Sequence, residues 1–196
     1  MQESRGSNGI MRHLMVAVVL SLCALAPAPA HGQTEWDLAA ENIDRLAPTV
    51  FFELPSHVLG SLEQDGCTVP QAWGEDIPHN VVGGSFAAPD QNDWAVLCSV
   101  GQSSSIVVFW GGPASCPSPV AASLPDRSFL QGLGADGILF SRGISTVQPD
   151  PRYWEVLDGP FPDTFTHSAI SDAFYEKGAT AYYCQGGRWL KFTSGD

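Results

Sequence analysis

The residues able to do chemistry are few and scattered. His57, His79 and His167 follow Gly32 singly, with no H-E-x-x-H run and no second ligand at i+4, so any zinc site would have to be assembled wholly by the fold. There is no G-x-S-x-G nucleophile elbow, no phosphate-binding loop and no G-x-G-x-x-G run; Gly132-Leu133-Gly134 reads as a loop with no strand before it. No catalytic residue can therefore be assigned, and no cofactor or metal is expected. Carboxylates are plentiful, and a pair suited to glycoside hydrolysis would be a property of the fold, not of spacing. The positive hint is aromatic. Trp73, Trp110, Tyr153 and Trp154 sit at or beside expected loops, where a flat ring can stack on a sugar, anchor a protein partner, or plug the core under a long loop.

Cysteine usage sets the compartment. Of five cysteines, Cys67, Cys98, Cys116 and Cys184 follow Gly32, at spacings too wide and irregular for a metal site. Two disulfides in an exported chain are the expectation. Three pairings are open; Cys67 with Cys98 and Cys116 with Cys184 is preferred, because the second would tie the C-terminal strand to the end of the central sheet. Export itself is read from Met11-Arg12-His13, the apolar run from Leu14 to Leu25, and the small residues Ala28-Pro29-Ala30-His31-Gly32. Residues 1–32 are thus expected to be a signal peptide cleaved after Ala30 or Gly32, with Met1 to Ile10 a polar leader or the product of an upstream start codon. The apolar run is shorter than the ~20 residues that span a bilayer. Lipidation at Cys23 is disfavoured by the bulky Leu22 before it.

Residues 33–196 read as a single secreted domain with seven Lys or Arg against twenty Asp or Glu, a formal charge of −13 where the whole chain has −12. Nucleic acid and anionic membranes need a basic footprint and are excluded as partners. The scattered acids describe a solvated surface. The expected partner is a protein or a glycan, the expected state a monomer.

The elements that must position these residues follow from periodicity. Thr34 to Ala47 has helical spacing with a Thr34/Asp37 cap and Pro48 beyond its end, and should dock Trp36, Ile43 and Leu46 on the core. A second helix follows Leu54-Pro55, with Ser56 as cap, Val58, Leu59 and Leu62 inward and Gly66 as stop. Cys67 to Gln71 is extended, at a sheet edge because of Pro70. From Asn80 to Trp110 three runs form an antiparallel meander: Val81-Val82 towards Phe86, Asp93 to Val100, and Ser105 to Trp110. Its strands are apolar on both faces. Gly111 to Pro125 is a loop pinned by Cys116. One helical turn is expected at Ser128 to Leu133. Gly137 to Val147 reads as one bent strand or two broken at Gly143. The proline-rich stretch from Gln148 to Thr166 is a surface excursion. His167 to Phe192 repeats the meander, Ala181-Tyr182-Tyr183-Cys184 and Trp189 to Phe192 matching Ala95-Val96-Leu97-Cys98 and Ile106 to Phe109. The fold expected is α+β: two N-terminal helices packed on a mainly antiparallel β-sheet built from two meanders.

The combination Leu54-Pro55-x-x-Val58, Gly66-Cys67-x-Val69-Pro70-Gln71, Gly84-x-Phe86, Asp93-Trp94-Ala95-Val96-Leu97-Cys98, Ala173-Phe174-Tyr175-Glu176 and Gly187-Arg188-Trp189 resembles a group of uncharacterised secreted bacterial proteins, which implies no particular activity. The part Gly84-x-Phe86 to Asp93-x-Ala95-Val96 also resembles a single FG-GAP blade of integrin-like propellers. That likeness implies a calcium loop, but the D-x-D-x-D-G run is absent, and Asp90-Gln91-Asn92-Asp93 reads as a capped turn. The reading drawn from the residues is a non-catalytic extracytoplasmic binding module, with a secreted hydrolase using a carboxylate pair or a His-acid dyad as the alternative.

Overall fold

In the computed structural model of the chain the described residues are 33–150, 155–158 and 162–194, with backbone only at 157 and 158. The expected signal segment, Cys23, Tyr153 and Trp154 lie outside them. Helix α1, Glu35–Glu41, starts with the expected capping box: Thr34 Oγ1 accepts from the Asp37 N–H while the Asp37 carboxylate accepts from Thr34 N–H. It stops earlier than periodicity predicts. The Asn42 side chain donates to Leu38 O at 2.8 Å, competing with the backbone, and Arg45–Leu46 turns into a strand, β1, paired with β2 at Val69–Pro70. Ala40 and Ile43 are buried, but Trp36, expected in the core, is 45% exposed.

Helix α2, Ser56–Gln64, is preceded by Pro55 as N-cap, with no side-chain cap bond, so Ser56 is its first residue and not the cap. Its end is written in Gly66, at φ +67°. Gly66 N–H donates to Glu63 O and Cys67 N–H to Leu62 O at 3.1 and 2.9 Å, the paired bonds of a Schellman motif, with Leu62 and Cys67 sharing one apolar cluster.

The central meander is present and antiparallel: β3 Val81–Gly84, β4 Asp93–Val100 and β5 Ser103–Phe109. The turn between β4 and β5 is tighter than composition suggests. Gly101 and Gln102 both have positive φ, the two-residue geometry whose twist matches that of its strands. β6, Leu124–Pro125, adds to β5. A 3₁₀ turn at Asp126–Phe129 stands where a helical turn was expected, and a small hairpin follows of β7, Leu130–Gly132, and β8, Ile138–Phe140. Gly132 therefore ends a strand, where a loop had been expected. β9, Arg142–Val147, begins after a break at Ser141; Gly143 lies inside the strand because the Tyr175 ring covers it, leaving no room for a Cβ. β10, Glu155–Asp158, is a strand within the proline-rich excursion.

The second meander is β11 Ala169–Phe174, β12 Gly178–Gln185 and β13 Arg188–Ser194, flanked by β9 and β10 in a five-stranded antiparallel sheet. The expected single sheet is thus two principal sheets plus two small ones. Strand order repeats between the meanders, but register does not. Cys98 stands opposite Ser105 and Cys184 opposite Trp189, one residue off the sequence match. A one-residue slip moves a side chain to the other face.

Alternation along β4 explains its double-sided apolarity. Ala95 and Leu97 join Phe86, Ile106, Val108, Ile144, Ile170 and Tyr182 in one core that takes residues from both principal sheets. Val96 and Cys98 point the other way, to Phe51, Leu54, Val58 and Leu62. Two polar residues bind the pieces together. Buried Asn80, at φ +69°, donates to Pro70 O and Arg142 O and accepts from Ile144 N–H. Buried Arg142 grips Asp172 with two 2.8 Å bonds, donates to Ser104 O and Oγ, and lies 4.3 Å from the Phe129 ring centre.

Both preferred disulfides are formed. Cys67–Cys98, with Cα atoms 5.4 Å apart, joins the end of α2 to β4, and Cys116–Cys184, at 5.9 Å, joins the loop after the first sheet to β12.

Candidate functional site

Gln71 begins the construction of a cleft. Its amide donates to Val69 O and His79 O and accepts from His79 N–H, and the His79 ring returns to Ala72, whose N–H donates to Nε2 at 2.7 Å. Nε2 is thus the acceptor, and Nδ1, 3.1 Å from Ile77 O, carries the hydrogen. Both ring nitrogens of His79 are spent on holding the loop closed. That loop presents Trp73, whose backbone N–H donates to Phe140 O on β8. The β7–β8 hairpin and the β11–β12 turn complete the surroundings, the latter carrying Glu176 at φ +61°.

Trp73 forms part of two neighbouring clefts. One, of about 380 Å³, has Gln131, Leu133, Asp136, Glu176 and Lys177 as its other side chains. The second, of about 350 Å³, is more apolar and runs past Asn42, Ile43, Asp44, Gln71, Glu75 and Phe140. Trp73 and Gln131 each carry one buried polar atom without a hydrogen-bond partner, the indole Nε1 and the Oε1. Gln131 is only 8% exposed, and its amide nitrogen donates to Glu176 Oε2 at 3.3 Å.

Of the other aromatics singled out, Trp110 packs against the core with its ring 5.9 Å from Trp189, whose indole donates to Pro117 O at 2.7 Å. Its role here is to seat the 111–125 loop. Gln131, Asp136 and Glu176 were not legible as a set: they come from a short hairpin strand, a 3₁₀ turn and a distant β-turn, with no common motif.

The histidines do not form an acid dyad with these groups. His167 stacks on Tyr183 at 4.2 Å; its Nε2 donates to Cys184 O, so Nδ1 is left to accept from Tyr183 or Thr166 hydroxyls. Burial holds its pKa below the ordinary 6.5, opposed by the Cys184 carbonyl and the charge of Asp93. The unfolded ring takes up a proton near 6.5 and the folded ring only at lower pH. Stability from this group is therefore full above that value and lost as pH falls through the window down to the native pKa. Denaturant unfolding between about pH 7 and about pH 5 is expected to show a smaller loss of stability in H167Q than in the wild type; equal losses would place the pH dependence elsewhere.

Asp93, in the segment with the FG-GAP likeness, is buried, and its carboxylate accepts from Phe86 N–H, Gly111 N–H and the Gln91 amide at 2.7–2.9 Å. These donors leave it a loop clamp. Among the described residues no cluster of three or more His, Cys, Asp or Glu is arranged to hold a metal ion, and no helix is long and apolar enough to cross a membrane. Compared with protein-family models, curated proteins and solved structures, the chain finds no match.

Proposed function

We propose that this chain is an exported, monomeric binding module that holds a hydroxyl-rich ligand, a glycan, in the cleft beside Trp73. The observation that carries this reading is the Trp73 ring lining a cleft together with the polar side chains of Gln131, Asp136, Glu176 and Lys177. A sugar hydroxyl gives one hydrogen bond and takes another, and the indole face adds apolar area for the ring. Export is supported by two disulfides, which persist in oxidising compartments. Support for helices packed on the sheets comes from Ala40 and Val58, each in a cluster with sheet residues.

The test is an NMR titration of the Trp73 indole N–H with soluble glucose and N-acetylglucosamine oligosaccharides of both linkage types. W73A is expected to lose about 2 kcal/mol of binding, roughly thirtyfold, and Q131A roughly tenfold, with fold stability checked by unfolding. Failure of every oligosaccharide to move the indole signal would overturn the reading.

A second reading, hydrolysis of the bound glycan, is favoured by one observation: Asp136 and Glu176 share the cleft with Trp73. Mass spectrometry of the incubated oligosaccharides decides it, since cleavage must be seen with the wild type and be lost in D136N or E176Q.

A further inference from the structure

Three consecutive backbone N–H groups fix the segment that carries Trp73. Gln71 N–H donates to Asp44 O, Ala72 N–H to His79 Nε2 and Trp73 N–H to Phe140 O, at 2.9, 2.7 and 2.9 Å. Of the three acceptors, only the imidazole nitrogen can take up a proton. A proton there sets N–H against N–H. A ring flip does not help, because Nδ1 already donates to Ile77 O and both nitrogens of an imidazolium are donors. Ala72 is buried, so losing this bond leaves its amide short of a partner. Residues 74–78 are exposed throughout, and the Gln71 amide and the His79 ring tie this loop back to the segment that leads into Trp73. The charged groups around the ring are Glu75 and Asp76 of its own loop, Asp44 and Arg45 of the segment bonded to Gln71, and Arg142, whose carbonyl oxygen bonds Asn80. Arg45 and Arg142 are held by Asp126 and Asp172, and among the described residues no ion pair involves His79. No fixed counter-charge therefore offsets the lost bond when the ring is protonated.

We infer that His79 is the positioning residue of the Trp73 cleft, and that only its neutral ring holds the cleft in its binding shape. The closed loop excludes a proton from Nε2, so closure is complete at high pH and is lost as pH falls. That the ligand is a glycan rests on the function proposed above; that the Trp73 segment follows the His79 proton does not.

The experiment is an NMR titration of the intact chain from about pH 8 to about pH 5, the range in which histidines ordinarily change charge. It is run first without ligand, following the His79 ring and the Ala72 and Trp73 backbone N–H signals, and then with cellotetraose and N-acetylchitotetraose. In the wild type the Ala72 and Trp73 signals are expected to move with the midpoint of the His79 ring, and oligosaccharide binding to weaken about tenfold at the acid end. H79Q keeps an acceptor that does not titrate, so its binding is expected to change less than about twofold over the same range. H79A has no acceptor and is expected to bind about tenfold more weakly at both ends. Comparison with H79Q separates His79 from His167 and the cleft carboxylates. If H79Q fails to fold, the wild-type ring and amide signals still decide. Protonation of the ring with the Ala72 and Trp73 signals unmoved would overturn the inference, as would equal acid weakening in the wild type and H79Q. Absence of oligosaccharide binding at pH 8 with these amides still following the ring would sink the glycan reading alone and leave His79 as the residue that positions Trp73.

Discussion

Replacing Arg142 by methionine is expected to destabilise the fold by about 3–5 kcal/mol, read from urea unfolding with both disulfides intact. Three losses coincide. The Asp172 carboxylate, its side chain 14% exposed, is left without its two-pronged partner. Ser104 O and Oγ lose their donor in the buried interior, and Phe129 loses the cation at its face. Because Ser104 belongs to the first principal sheet and Asp172 to the second, the guanidinium is a polar tie between them, beside those made by Asn80 and by Thr146 with Gly83 O. R142K keeps the charge but cannot reproduce the planar fork, so it should recover only a minor part. The double change R142M with D172L removes the stranded charge and is expected to recover more than R142K. A loss below about 1 kcal/mol in R142M would show that this guanidinium contributes little to holding the sheets together.

The second large effect lies at Cys116–Cys184. Converting both to alanine is expected to cost about 4 kcal/mol, because the bridge closes a long loop, 68 residues in sequence separation, and its loss releases that conformational freedom to the unfolded chain. The corresponding change at Cys67–Cys98, separation 31, should cost about 0.7 kcal/mol less by the same logarithmic dependence. Trp189, through its indole bond to Pro117 O and its packing on Trp110, continues to hold the 111–125 loop in the double-alanine variant. Near-native secondary structure with a lowered unfolding midpoint is therefore expected. A midpoint unchanged within error would mean that the entropy of this loop is already restricted in the unfolded state.

Some of this was legible in the chain because the determining physics is local. Gly66 marks the end of α2 because the left-handed conformation needed there is readily available to glycine. The alternation from Asp93 to Val100 announces a strand covered on both faces, and each face meets its own apolar cluster. The end of α1 was not legible: its apolar spacing continues to Leu46, but strand pairing of Arg45 and Leu46 with Val69 and Pro70 ends the helix, a contact 23–25 residues away. The exposure of Trp36 follows from that shortened helix and its docking through Ala40.

The sequence by itself determined the strands of the two meanders, the capping box of α1 and the Gly66 stop of α2, which cysteines are available to pair, and that acidic charge outweighs basic, since each depends on neighbours in the chain or on composition. Only the tertiary structure decided which polar groups meet. Arg45 and Asp126 are 81 residues apart, Arg142 and Ser104 38, and Gln131 and Glu176 45. No periodicity links such pairs. They arise when two sheets and a helix are pressed together, and burial then makes each partnered or unpartnered atom matter by removing the water that would otherwise satisfy it. The Trp73 cleft is framed by such meetings of distant segments.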